Sequence, residues 1–559
     1  MSNEELLHKK FKKIAVSLPH NTISSLWLMR TFLLIFFCIS LKALQAQDEY
    51  VAHSDSAYLH TAQILAQLVR ATGNIDPNIS LEMPLTTGKI AAVVSRNHKI
   101  LLEKWAYNVC MQLPSDKQDA AIAFILGHEL AHIYRFHHQD YAVWVEHFIQ
   151  YKELTEDERK IESQADEYGF FYARIAGYST TGIEEVLFTR LYDYLEAAQK
   201  VGIQPPKEGR IQMAKDNSRK IQPYIDLFRL AEKMMVLEEY SIAAALYEHI
   251  LPRLTSPEMY LNTAVAQMLY AKSIRSKSKI VYTFPLLFDA ESQYERGEKY
   301  PYDRQKEVPI ILQSADSLLQ IAAQQYAPYP QAHLYLAYTH YLQSLENEVF
   351  LSKIEPDLAA ITFMKCDSSL RVYKRFLQAV LFAALGKNKE THIIFNEKEM
   401  IANFPAEVAE NIFLIDSQKP YPIPVCKTEK NVGDEKINGV YDIPKEVMKE
   451  VISDTIYNRW EKRMMTIRSK NIPAVCHYYQ VEIDSLQKIE IIETEKGYSQ
   501  KTATGLGIND RAQSLERAYG IPCCKIKLPT LQFYRYNAYR DIVFRLKEGN
   551  IVGWYLYKK

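Results

Sequence analysis

The sequence predicts a mainly α protein in three parts: an α-rich α+β unit up to residue 222, a helical array from 223 to 400, and a small α+β module from 441 to 559. Three observations predict it. Apolar residues recur at helical spacing through Ile122, Ile125, Leu126, Leu130 and Ile133, and a His-Glu-x-x-His pentapeptide lies on that helix. From about 223 to 400 helical periodicity is continuous. Beyond the alternating prolines of Lys419-Pro420-Tyr421-Pro422-Ile423-Pro424, short apolar runs are separated by turn residues.

The elements follow in order. Thr31 to Leu41 is an apolar run behind Arg30, and small Ala46 stands at its exit, so residues 1–46 read as a secretory signal cleaved after Ala46. Met29-Arg30 would make a more compact start than Met1. The run is short of the roughly 20 apolar residues that a membrane-spanning helix needs; an uncleaved anchor is the alternative. Phe36-Phe37 before Cys38 are not the small residues that lipid attachment favours. The mature chain is expected across the inner membrane, in the periplasm, with at most peripheral membrane association.

In the first unit a helix carries Leu59, Ile64, Leu65 and Leu68. Ile79–Leu85 and Ile90–Val94 read as strands, Ser95-Arg96-Asn97-His98 as a turn, and Ile100–Cys110 stays undecided. Ser115-Asp116 can cap the long helix that bears the pentapeptide. In the array, Ala231, Ala243, Tyr247 and Ile250, then Ala315, Leu319 and Ala322, then Ala337, fall at the small and bulky positions of a tetratricopeptide repeat. Residues 401–440 read as a linker. In the last module Tyr534–Tyr536, Ile542–Leu546 and Ile551–Tyr557 read as strands, with Lys547-Glu548-Gly549-Asn550 as a hairpin turn. A short helix precedes them, capped by Asn509 or Asp510 and ended by Gly520.

Composition bounds the function. The 559 residues imply two to four domains. Lys plus Arg and Asp plus Glu are both 67, which gives no reason to expect nucleic acid or an anionic membrane as partner. Seven cysteines include no Cys-x-x-Cys pair, so zinc ribbons and thioredoxin chemistry are excluded, and most read as small buried hydrophobes.

The chemistry sits in His128-Glu129-Leu130-Ala131-His132. Two histidines four apart lie one turn apart on one helix face and can reach a single zinc ion. Glu129 borders the same site and can take a proton from the attacking water. Glu162 lies 30 residues past His132, in a second helical stretch, and can supply a third ligand. Asp166, one turn on, can accept the other ring N–H of a ligand histidine. An acidic pair at this spacing is by itself an ordinary solvated face; behind the pentapeptide it is far more specific.

HELAH followed by ESQADEYG and AGY resembles the zinc metallopeptidase family of the HtpX, Oma and CAAX prenyl endopeptidase group over about residues 50–215. The resemblance implies a zincin-like (gluzincin) fold, one zinc per chain on His128, His132 and Glu162, Glu129 as general base and Asp166 behind the ligands. It also implies protein or peptide substrates. A peptidase followed by repeats in an exported chain is similar in architecture to the BepA-like members of envelope quality control, with an assembly partner on the repeats. The family's histidine past the pentapeptide matches His137, whose helical offset points it away from the metal. One departure stands out: Gln204, ahead of Pro205-Pro206 and Arg210-Ile211, takes the place of a family histidine. The competing expectation is a repeat-based chaperone or scaffold whose zinc site is weakly active or structural.

Overall fold

The computed structural model describes residues 50–558 apart from 73–78, 86–90, 95–97, 135–144, 148–154, 198–205, 276–280, 286–305, 326–328, 364–367, 418–434, 441, 449–452, 473–474, 485–486, 495–496, 521, 523, 528–530 and 537–540. The expected leader, residues 95–97 of the first turn, His137, Gln204 and the proline-rich stretch lie outside the described residues. The chain is mainly helical and ends in an antiparallel sheet.

Helix α1 (Ser56–Ala71) starts at Asp55, whose carboxylate accepts a hydrogen bond from the Ala57 N–H at 2.7 Å. Ile64, Leu65 and Leu68 bury its apolar face, whereas Leu59 is exposed. Five residues before Ile64, Leu59 falls on the far side of the helix. Strands β1 (Ser80–Glu82), β2 (Ala91–Val94), β3 (Lys99–Leu102) and β4 (Val145–His147) form a mixed sheet in the order β1-β3-β2-β4. β3 runs parallel to β1 and antiparallel to β2, and β4 closes one edge against β2. The undecided stretch after residue 99 divides into β3, with Ile100 and Leu102 buried in alternation, and α2 (Lys104–Met111), with Trp105, Ala106, Val109 and Cys110 on one buried face.

Helix α3 (Gln118–Tyr134) is buried at every position from Ala120 to Tyr134, so it is the central rod of this unit. α4 (Glu156–Ile175) packs across it. Thr155 and Glu158 start α4 with a reciprocal capping box, and Glu156, Asp157 and Glu158 complement its positive end. α5 (Ile183–Ala197) follows, then α6 (Lys207–Val236), a 30-residue helix that continues through Pro223. The boundary expected at 222/223 lies inside this one helix.

The array comprises α7 (Tyr240–Ile250), α8 (Pro257–Ile274), α9 (Val308–Gln325), α10 (Pro330–Ser344), α11 (Leu351–Phe363), α12 (Ser368–Ala384) and α13 (Asn388–Phe395). From α6 to α11, each helix packs on the next. Ala231, Ala243, Ala315, Ala322 and Ala337 are fully buried, as are Tyr247, Ile250 and Leu319, so the residues read as small and bulky contact positions do face the core. Two more helices, α14 (Lys398–Asn403) and α15 (Pro405–Ser417), occupy the start of the stretch read as linker.

After α16 (Lys445–Met448), the last part holds more strands than expected. β5 (Ser453–Asn458), β6 (Arg463–Ile472), β7 (Cys476–Ile483), β8 (Gln487–Thr494), β9 (Cys524–Lys527), β10 (Gln532–Tyr536), β11 (Asp541–Lys547) and β12 (Asn550–Lys558) form one sheet, in the order β5-β6-β7-β8-β12-β11-β10-β9. Strands β10, β11 and β12 are the three anticipated. Their hairpin turn has φ 52° at Glu548 and 78° at Gly549, the two positive values that a two-residue turn with right-handed strand twist requires. α17 (Ala512–Tyr519) ends at Gly520 as expected, but its start needs correcting. The cap position is Arg511, with no side-chain cap, because the Asp510 carboxylate instead accepts from the Gly507 N–H at 2.8 Å and closes the preceding loop.

The sheet is covered on both faces. Val481, Ile483, Ile489, Ile491 and Tyr555 join the core continuous with the helices, while Tyr478, Ile492, Phe544 and Trp554 pack with Leu515 and Tyr519 of α17. A buried ionic cluster ties the sheet to α6: Lys233 Nζ lies 2.8 Å from Glu493 Oε2, and Arg545 Nη1 lies 2.9 Å from Glu493 Oε1. Ser469 also donates to Asp226 of α6 at 3.0 Å. Among the described residues no helix is long and apolar enough to cross a membrane, and Cys110 and Cys476 are buried.

Candidate metal centre

Two glycines let the site helices cross closely. A Cβ on Gly169 of α4 would lie 2.9 Å from the His128 backbone nitrogen and 3.1 Å from the Phe124 carbonyl oxygen. A Cβ on Gly127 of α3 would lie 3.0 Å from the Gly169 carbonyl oxygen. The obstacles are backbone atoms that cannot swing aside, so α3 and α4 can meet at this depth only with glycine at both positions. Gly169→Ala is therefore expected to separate the helices, weakening metal binding by about 10-fold or more as the supporting geometry is lost. Metal titration of the purified variant checks this, and wild-type affinity would contradict it.

The close crossing brings the predicted residues together. His128 Nε2 lies 3.1 Å from His132 Nε2 and 3.3 Å from Glu162 Oε2, and His132 Nε2 lies 3.8 Å from Glu162 Oε1. One donor atom from each of the three residues falls within 4.8 Å of the others, an arrangement able to hold a metal ion. His128, Glu129 and His132 are fully buried, and Glu162 is 7% exposed. Two imidazoles and a carboxylate converging at this depth suit a cation, which would join donors that are otherwise costly to bury side by side.

Asp166 reaches the ring as expected: its Oδ1 lies 3.0 Å from His128 Nδ1, which leaves Nε2 directed at the other two donors. Sequence reading missed the next layer. Arg210, from the first turn of α6, donates through Nη1 to Asp166 Oδ2 at 2.6 Å and through Nη2 to Oδ1 at 2.7 Å. Asn217 Nδ2 donates to Asp166 Oδ2 at 3.3 Å, and Asn217 Oδ1 accepts from Ser163 Oγ at 2.9 Å. In the sequence Arg210 stands out only as half of an Arg-Ile pair. The signal that could have found Asn217 is its seven-residue offset, two turns along the same face of a helix.

Electrostatics agree with this wiring. Burial opposes charge on His128, but hydrogen bonds and charge from Asp166 and Glu162 outweigh it and push its pKa up to about 10. Burial likewise opposes charge on Asp166, yet Arg210 and His128 hold it down at about 2. A metal bound there would compete with a proton for His128, so metal binding is expected to strengthen as pH rises, which metal titration at several pH values checks.

A groove of about 400 Å³ runs along the outer face of α4 between Glu156 and Glu167 and is bordered by Arg253. Its lining does not include His128, Glu129 or His132. No protein-family model matches the chain, and no curated protein matches its sequence.

Proposed function

We propose that the chain is a zinc-dependent endopeptidase of the cell envelope that hydrolyses peptide bonds of misfolded or unassembled envelope proteins. The observation that carries this reading is the convergence of His128, His132 and Glu162, with Glu129 in the same buried turn. Tetrahedral zinc with bonds of about 2.0–2.1 Å holds its donors roughly 3.3 Å apart, close to the observed 3.1 to 3.8 Å. Zinc there supplies a Lewis acid that activates water and steadies negative charge on the scissile carbonyl oxygen. The protein's own part is positional and acid–base. Asp166 fixes the His128 ring, and Glu129 accepts the proton of the attacking water and returns it to the leaving amine.

In this reading the part that ends with α5 is a gluzincin-like unit, α6 joins it to the array, and the helices of the array are tetratricopeptide-like repeats that bind substrate or an assembly partner. Support for the first is the mixed sheet packed beside α3; support for the second is the succession of helices meeting through buried alanines. No P-loop is present to drive unfolding, so substrates would be chosen by what they already expose. The scaffold reading draws on one observation, the complete burial of Glu129 and both histidines, which suits a structural ion as well as a closed catalytic one.

The test is cleavage of casein and of an unfolded envelope protein by purified protein, with zinc removed by chelator and then restored. Zinc-dependent cleavage is expected; a zinc-loaded protein that cuts neither substrate moves the scaffold reading ahead. Export is checked separately. Mass spectrometry of the mature protein is expected to place its N-terminus close to Gln47, and an intact Met1 or Met29 in the membrane fraction would point to an anchor.

A further inference from the structure

We propose that Arg210 is a positioning residue of the metal centre, acting through Asp166 on the orientation of His128; this rests on the metal-site reading above. Alone, Asp166 would orient His128 only weakly. A carboxylate turns easily about its last side-chain bond, so a single contact of 3.0 Å to His128 Nδ1 leaves the direction of the imidazole loosely set. Arg210 removes that freedom. Its two terminal nitrogens engage both Asp166 oxygens, at 2.6 and 2.7 Å, a planar fork that fits a carboxylate in one orientation. The fork is itself held: the guanidinium lies 4.2 Å over the Phe188 ring of α5, which sets its plane. Asn217, two turns further along α6, adds a fourth hydrogen bond to Asp166 and is braced by Ser163.

All three side chains are deeply buried, with Arg210 2% exposed, Asn217 1% and Asp166 0%. A buried ion pair is a poor means of stabilising a fold, because desolvation offsets most of its attraction. What this one provides is direction. Helices α4, α5 and α6 each contribute a group, and the chain of contacts ends on a ring nitrogen whose partner nitrogen faces Glu162 and His132. Lysine at 210 would keep the charge but offer a point instead of a fork.

The experiment measures zinc affinity of the full chain by chelator competition, and the visible spectrum of its cobalt form, for wild type, Arg210→Lys and Arg210→Gln. Both variants are expected to bind zinc about 10-fold more weakly, in the range seen when groups behind metal ligands are removed. Their cobalt spectra should be altered, and any hydrolysis should lose kcat with KM held. Arg210→Lys with wild-type affinity and spectrum would overturn the proposal, since charge alone would then suffice. If neither variant folds, Phe188→Leu decides. It keeps both charges but removes the ring that sets the plane of the Arg210 fork, so weaker zinc binding with a shifted cobalt spectrum is expected, and no change overturns the proposal. A wild type that takes up no metal sinks the metal-site reading together with this proposal, whereas metal-loaded wild type beside an unaltered Arg210→Lys sinks this proposal alone.

Discussion

Glu129→Gln is expected to keep its metal and to lose hydrolysis by about 100-fold or more. The amide has the shape of the carboxylate, so the packing of α3 at this fully buried position is preserved. It cannot accept a proton from water at neutral pH, which removes the acid–base group assigned to the attacking water. The three donors, His128, His132 and Glu162, are untouched, so metal content should match wild type. This separation of metal from rate distinguishes a base from a ligand. Steady-state cleavage of casein alongside metal analysis reads both quantities. Wild-type turnover in Glu129→Gln would remove Glu129 from the mechanism.

Glu493→Leu is expected to destabilise the protein by about 3–5 kcal/mol, because it leaves buried cations without their counter-charge. Glu493 is fully buried on β8, and Lys233 of α6 is 6% exposed. Burial works against charge on both. It pushes the Lys233 pKa down, while on Glu493 the surrounding Lys233, Arg545 and Arg229 outweigh it and hold the carboxyl well below its ordinary value of 4.5. A carboxylate whose folded pKa is depressed contributes stability above its unfolded value, and that contribution is lost as pH falls. Wild type should therefore lose this part of its stability progressively below pH 4.5, and the leucine variant should lack that part of the pH dependence. Urea unfolding at neutral and acidic pH measures it. A second variant, Lys233→Met with Glu493→Leu, removes both charges and is expected to recover most of the loss. A change below about 1 kcal/mol in the single variant would mean that the cluster is already solvated, as exposed pairs are.

The candidate metal donors were legible in the sequence because their spacing is a local property of helices. His128 and His132 sit one turn apart whatever the tertiary fold, and Glu162 and Asp166 repeat that spacing on α4. The Arg210 and Asn217 layer was not legible, since nothing local links α6 to α4; the link exists only once Gly127 and Gly169 let the helices close up. The array was legible in outline for a similar reason. Its alanines recur at helical intervals, whereas the continuity of α6 through Pro223 runs against the usual effect of proline in a helix.

Most of the sheet escaped notice because it is buried on both faces. Strand β7 (Cys476–Ile483) is buried at every position but Glu482, with His477, Gln480 and three tyrosines or valines among its apolar residues, so no polar–apolar alternation marks it. Strand β6 is partly exposed and rich in charge, Arg463, Arg468 and Lys470, and does not read as a core strand. The hairpin of β11 and β12 was visible because Glu548-Gly549 signals its own turn. Leu59 misled in the opposite direction, an apolar residue on the solvent side of an otherwise well-read helix.

The central claim is that His128, His132 and Glu162 hold one zinc ion, and metal analysis of purified wild type beside His132→Ala tests it most directly. Removing one of three protein donors should abolish tight binding while leaving Glu129 and Asp166 in place. The account predicts one zinc per wild-type chain and none retained by His132→Ala after dialysis against a mild chelator. Full zinc occupancy in His132→Ala, or a folded wild type that binds no metal at all, would contradict it.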